Sequence, residues 1–152
     1  REALQNGILA GYPVVDVYVN LYDGSFHSVD SSEMAFKIAA SMAFKKGMQE
    51  ANPVILEPVM ELEVVVPEKY MGDIIGDINS KRGKILSMNP SENKTQIIKL
   101  QLPQAESFNY SVDLKSITQG RGTFSQRFSH YEELPPNLAQ EVIEERKKQK
   151  DE

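Results

Sequence analysis

A chain of 152 residues allows one ordinary domain or two small ones, and 40% hydrophobic with 26% charged residues is the make-up of a folded protein. The absence of cysteine excludes disulfides, thiolate metal sites and a thiol nucleophile, and it fits a reducing compartment. No apolar run approaches the roughly 20 residues of a membrane span, and a net charge of −5 excludes the basic excess that marks non-specific nucleic-acid binding.

That charge is unevenly spread: −2 over residues 1–56, zero over 57–131 and −3 over 132–152. If RNA is a partner, local patches must make the contact. No signal peptide opens the chain. Residue 1 is not Met, and Arg1–Asn6 reads as helix closed by Gly7, so the sequence is expected to be a piece of a longer protein.

Gly11-Tyr12-Pro13 leads into Val14–Tyr22, where Val15, Val17, Val19 and Leu21 alternate with Asp16, Tyr18, Asn20 and Tyr22. This period of two predicts a strand with one buried face. Asp23-Gly24 reads as a turn, because glycine accepts positive φ. Asp30 followed by Glu33 reads as a capping box that opens a helix over Ser31–Ala51. Between these devices Ser25–Val29 is expected to form a rigid loop presenting Phe26 and His27, although an ordinary strand-to-helix connection would read the same. The helix has so wide an apolar surface, through Phe36, Ile38, Ala39, Met42, Ala43 and Phe44, that close packing on a sheet is expected. Asn52-Pro53 stops it.

After an extended boundary at 54–58, the element order is clear. Met60, Leu62, Val64 and Val66 mark a strand, and Pro67-Glu68 opens a helix that ends by Gly83. Lys84–Met88 and Thr95–Leu102 form a hairpin around Asn89–Asn93, a second helix covers Glu106–Thr118, and Thr123–His130 is the last strand. The order βαββαβ predicts a four-stranded antiparallel sheet with two helices on one face, a ferredoxin-like α+β unit. Leu134-Pro135-Pro136 starts a final helix whose thin stripe of Leu138, Val142 and Ile143 must dock on something, most simply the first unit. Its charged end, Glu144–Glu152, reads as a solvated tail.

The sequence carries few residues arranged for chemistry. Gly72–Lys84 lacks the spacing of a phosphate-binding loop, and Gly72 and Gly76, one turn apart, read as points of close approach to the sheet or to a partner. His27 and His130 sit in different units, and no third ligand is spaced for a metal. Turn and cap duties account for Asp23 and Asp30. No catalytic or metal-binding residues are assigned, and this chain is not expected to be an enzyme. Two features could touch RNA: Lys81 and Arg82 beside Gly83, and Lys115 with Gln119, Gly120, Arg121 and Gly122. Cations near a helix C-terminus also simply complement its dipole.

Several runs resemble bacterial elongation factor G, of the translocase family of ribosomal GTPases. They are Gly11–Val14, the D-G-S-F-H-S-V-D-S-S-E run at 23–33 with Met34–Lys37, Leu56–Pro58, Gly76-Asp77, Arg82-Gly83, Thr118–Gly122 and His130-Tyr131. The match is colinear over essentially the whole chain. The resemblance implies that residues 1–56 are the C-terminal part of a fourth domain, a partial ribosomal-protein-S5-like strand–loop–helix. It implies that 57–131 are the ferredoxin-like fifth domain, followed by a C-terminal helix over 132–152. Gly24, Ser25, Phe26, His27 and Ser28 then form a tip loop entering the decoding region, with His27 near the tRNA–mRNA duplex. Lys81, Arg82, Lys115, Gln119 and Arg121 become candidates for contact with ribosomal RNA in the GTPase-associated region.

The implied partners are the ribosome's RNA and proteins and its tRNA–mRNA, with no membrane, for a cytoplasmic monomer. By the same resemblance GTP and Mg²⁺ would belong to a GTPase domain outside these residues, and no cofactor is expected here. The chain departs from the family at Gln104–Asn109, at Lys115 where Arg is usual, and at Gln126 where Met is usual. A ribosome-recycling or tetracycline ribosome-protection paralogue remains the alternative, as more remotely does a small-ligand regulatory module built on the ferredoxin-like unit.

Overall fold

The structure, a computed structural model, describes the backbone of residues 2–151 and the side chains of residues 2–149. It contains two compact units: Leu56–Glu133, and Arg1–Ile55 together with Leu134–Glu152.

The Leu56–Glu133 unit follows from its strands. β1 (Leu56–Pro67), β2 (Lys84–Ser91), β3 (Thr95–Pro103) and β4 (Thr123–Glu133) form one sheet in the order β2-β3-β1-β4, every neighbouring pair antiparallel. With α3 (Met71–Ser80), α4 (Gln104–Ser107) and α5 (Tyr110–Ile117) between the strands, this is the βαββαβ arrangement the alternation predicts. Leu62, Val64 and Val66 point from β1 to the same side as Ile98, Leu100 and Leu102 of β3, and Ile74, Ile78, Tyr110 and Leu114 cover them. All ten are essentially inaccessible to solvent, and each large side chain so buried contributes about 1.5–3 kcal/mol. Tyr110 meets Phe124 edge to face, with ring centres 5.2 Å apart and planes at 87°. The other face of the sheet is charged and self-paired, Glu63 with Lys99 and Glu61 with Arg127.

Local chemistry shifts the element ends. β2 runs through Pro90 to Ser91, which an edge strand tolerates because no neighbour needs the missing N–H. The hairpin turn therefore falls at Glu92–Lys94, where Asn93 and Lys94 both take φ 58°. α3 and α5 terminate alike: Arg82 (φ 58°) and Gln119 (φ 52°) adopt the left-handed conformation, and the following glycine closes the cap. Gly83 N–H donates to Ile78 O at 2.9 Å and Gly120 N–H to Lys115 O at 2.8 Å, the Schellman pattern with a non-glycine residue at the left-handed position.

Gly83 and Gly122 are demanded by packing. A Cβ at Gly83 would lie 2.4 Å from Ile78 Cγ2, and one at Gly122 would lie 2.9 Å from Leu114 and from Thr118 Oγ1. Gly72 and Gly76 are different. A Cβ at either would meet nothing within 4 Å, so the close approach to the sheet expected from their spacing does not occur.

The other unit holds α1 (Glu2–Gln5), α2 (Glu33–Glu50) and α6 (Pro136–Asp151). The strand expected over 14–22 is not formed. Asp16 takes φ 57°, which breaks the run, and among the described residues no other strand lies in this unit to pair with it. Val15, Val17, Val19 and Leu21 are consequently exposed, and α2 buries none of its residues, so its broad apolar surface is uncovered here. The strand–loop–helix reading keeps its loop and helix and loses its strand. α6 is anchored locally: Leu134 N–H donates to Ile55 O at 2.8 Å, and the Arg146 guanidinium lies 4.9 Å above the Tyr12 ring. Leu138, Val142 and Ile143 are half-buried along it.

Two substitutions separate these glycine and cap roles. Gly76→Ala is expected to raise stability by roughly 0.5–1 kcal/mol, since an exposed helical site with open space gains only from the lost backbone freedom. Thr118→Val is expected to lower it by about 1–3 kcal/mol, because the buried Gly122 N–H loses its acceptor. Urea midpoints of the two variants measure both.

Candidate functional site

Short polar side chains of the 23–32 segment bond to nearby backbone amides. The turn lies at Ser28–Asp30, not at Asp23-Gly24, and Gly24 does not use positive φ. Asp23 Oδ1 instead accepts from Gly24 N–H at 2.7 Å. The cap is also displaced. Ser32 is the N-cap of α2, its Oγ accepting from Ala35 N–H at 3.1 Å, and Asp30 lies in the turn before it. A serine directly before the first helical residue outcompetes an aspartate two positions further away, because its hydroxyl reaches the free amides without distorting the turn. Ser31 closes the loop, its Oγ accepting from His27 N–H at 2.8 Å and its N–H donating to His27 O at 3.1 Å.

What this geometry presents is Phe26, 74% exposed, beside an exposed His27, with Gly24, Ser25 and Ser28 equally open. An aromatic face, an imidazole and small hydroxyls on a braced loop can stack on a base or bond to phosphates and 2′-hydroxyls. Asp23, Asp30 and Glu33 flank them in the sequence, so attraction by net charge is not what this loop offers.

In the Leu56–Glu133 unit the five cation and amide candidates divide into two groups. Lys81, the C-cap residue of α3, is 16% exposed and pairs with Asp77 one turn back and with Asp113 on α5 at 3.1 Å. Burial lowers its pKa, but the hydrogen bonds and charges of Asp77 and Asp113 outweigh burial and hold it above the ordinary lysine value. Arg82 makes a two-pronged bond to Glu57, at 2.6 and 2.9 Å. Both cations therefore have partners within the chain. Lys115, Gln119 and Arg121 are exposed at the end of α5.

The glycines beside Arg121 do not form an anion cradle. The amides of Gln119, Gly120, Arg121 and Gly122 bond to Ser116 O, Lys115 O, Thr118 O and Thr118 Oγ1. What this turn can offer an anion is side chains. Tyr110 feels the charges of Asp77 and Asp113, its hydroxyl buried without a hydrogen-bond partner among the described residues and its pKa raised, by burial first.

Some of these residues are legible in the sequence and some are not. Asp77 and Lys81 stand four apart at the end of α3, a visible pairing signal. The Ser31-Ser32 doublet before a helix is a second signal, outweighed by the better-known Asp–x–x–Glu pattern. Glu57 lies 25 residues from Arg82 and leaves none. His130 sits between Ser129 Oγ and Glu132 Oε1, each 2.8 Å from a ring nitrogen, on the sheet edge. Among the described residues no group of three potential metal ligands forms, and no helix is long and apolar enough to cross a membrane.

Residues 1–52 match the family model described as elongation factor G, domain IV, and residues 54–142 match that described as elongation factor G C-terminus. A solved structure is also similar, the crystal structure of ttk003000868 from Thermus thermophilus, at 45% identity and a TM-score of 0.84 over 97% of this chain. The similarity covers 22% of that chain, so the present chain spans about a fifth of its length.

The Lys81 pairing carries a pH signature. A group whose folded pKa is raised contributes stability that is complete below the unfolded value of 10.5 and is lost as pH rises through the folded value. Urea midpoints are expected to fall above about pH 10.5 in the wild type, with this component absent in Lys81→Ala. At neutral pH the same variant is expected to lose about 2 kcal/mol, because Asp77, itself only 15% exposed, is left without its counter-charge.

Proposed function

This chain belongs to the elongation factor G family, and on that premise we propose that it forms the ribosome-contacting domains IV and V of a translocase. In this reading the parent moves tRNA and mRNA through the ribosome in a GTP-dependent step, as a cytoplasmic monomer. GTP and Mg²⁺ are held outside this chain, and none of its residues is assigned to them. The observation that carries the proposal is the exposed Phe26–His27 tip, tied by its backbone to the start of α2.

The role of such a tip is mechanical. Its imidazole and aromatic ring can meet phosphates and 2′-hydroxyls, which every codon shares, so contact need not depend on sequence. A loop braced at its base resists being pushed aside, which is what blocking backward slippage of a duplex requires. In the other unit, Lys115, Gln119 and Arg121 are the groups we assign to ribosomal RNA, being exposed where Lys81 and Arg82 have partners within the chain. Each phosphate neutralised by Lys115 or Arg121 should lower the dependence of binding on salt by roughly one unit of slope when that residue is replaced by alanine.

The test is a toeprint of a pre-translocation ribosome with the full-length parent and GTP, wild type against His27→Ala. The wild type is expected to advance the mRNA by one codon, and the variant to do so about tenfold more slowly, the cost of one or two lost polar contacts. Equal rates would remove His27 from the mechanism. A wild type that leaves the mRNA in place would make the protein a recycling or ribosome-protection paralogue.

A further inference from the structure

Ser31 occupies the position before the N-cap and takes no part in capping, which Ser32 performs through Ala35 N–H. Its hydroxyl turns back into the loop instead. Ser31 Oγ accepts from His27 N–H at 2.8 Å, and Ser31 N–H donates to His27 O at 3.1 Å. One residue thus satisfies both backbone polar groups of His27, while the imidazole takes no part in either bond. The next residue, Ser32, is locked to the helix in turn, its carbonyl accepting from Phe36 N–H at 3.0 Å. Ser25, Ser31, Ala35, Phe36 and Ala39 line one shallow depression, so the early side of the loop lies against the first turns of α2.

We propose that Ser31 is the positioning residue of the tip: it references the His27 backbone to α2, so that the imidazole is presented in one direction with its ring nitrogens free for an RNA ligand. The inference rests on the reading of His27 as the RNA-contacting residue. Both bonds are exposed, so water replaces them readily. Removing the hydroxyl therefore loosens the loop and leaves the fold intact. A loosened tip meets its ligand in fewer productive orientations, which appears as a rate and not as a loss of stability. Threonine retains the hydroxyl and its acceptor, and the position is open enough to take the extra methyl.

Two measurements test this. The first is hydrogen exchange of the His27 amide in this chain, followed by NMR for the wild type, Ser31→Ala and Ser31→Thr. The wild-type amide is expected to be protected roughly threefold to tenfold, a protection lost in Ser31→Ala and kept in Ser31→Thr. The second is the rate of mRNA advance by the full-length parent. Ser31→Ala is expected to slow it about threefold, with Ser31→Thr restoring the rate and thermal unfolding unchanged. In a His27→Ala background Ser31→Ala should add nothing, because it acts through His27. A His27 amide that exchanges at the free rate in the wild type would overturn the proposal. So would a Ser31→Ala effect of the same size with and without His27. Failure of the wild-type parent to advance the mRNA sinks the functional reading, and the exchange rates still accept or reject Ser31 as the residue that holds His27.

Discussion

A β-strand satisfies its backbone only when another strand lies beside it, and the order in each unit follows from where that condition is met. β1 meets it on both edges, paired from Val59 to Pro67 with β3 and from Leu56 to Val65 with β4. That double pairing fixes the register that turns Leu62, Val64 and Val66 to one side, and a slip of one residue would send all three to the charged face. The helices then have one apolar surface to cover, and Tyr110, Leu114, Ile74 and Ile78 cover it. In the other unit the condition is not met for residues 14–22, and both the alternating valines and the apolar faces of α2 remain open.

The same accounting governs the helix ends. α3 and α5 stop with a non-glycine residue in the left-handed region, at a cost of about 1–2 kcal/mol each. At Arg82 the two-pronged bond to Glu57 offsets that cost by tying the helix end to β1. Beyond Gln119 the offset comes from Thr118, whose buried hydroxyl donates to Leu114 O and accepts from Gly122 N–H. These bonds use up the amides beside Arg121, so the backbone there has none to offer an anion.

The proposed contacts divide along this line between internal and external partners. Lys81 and Arg82 face carboxylates of their own chain, whereas Lys115 projects from the last turn of α5 and Gln119 and Arg121 from the turn after it, whose backbone is already satisfied. The tip obeys the same rule. His27 has both backbone groups bonded to Ser31, so its ring is the part left to meet something else. A chain with net charge −5 can address RNA only through such local groups, each small and each placed by the backbone beneath it.

The sequence by itself determined the ferredoxin-like unit, because period-two alternation at Met60–Val66 and Thr95–Leu102 and the glycines near the helix ends are local signals that agree with the global topology. It also marked the Phe26–His27 loop, through the residues on either side of it. Tertiary structure alone decided that Ser32 and not Asp30 caps α2, that Arg82 belongs to Glu57, and that Gly72 and Gly76 face open space while Gly83 and Gly122 are hemmed in. It alone decided, too, that residues 14–22 form no strand. The reason is common to all of these. Periodicity and propensity are properties of neighbours along the chain, whereas pairing, capping competition and contact depend on which distant or alternative partner reaches a group first.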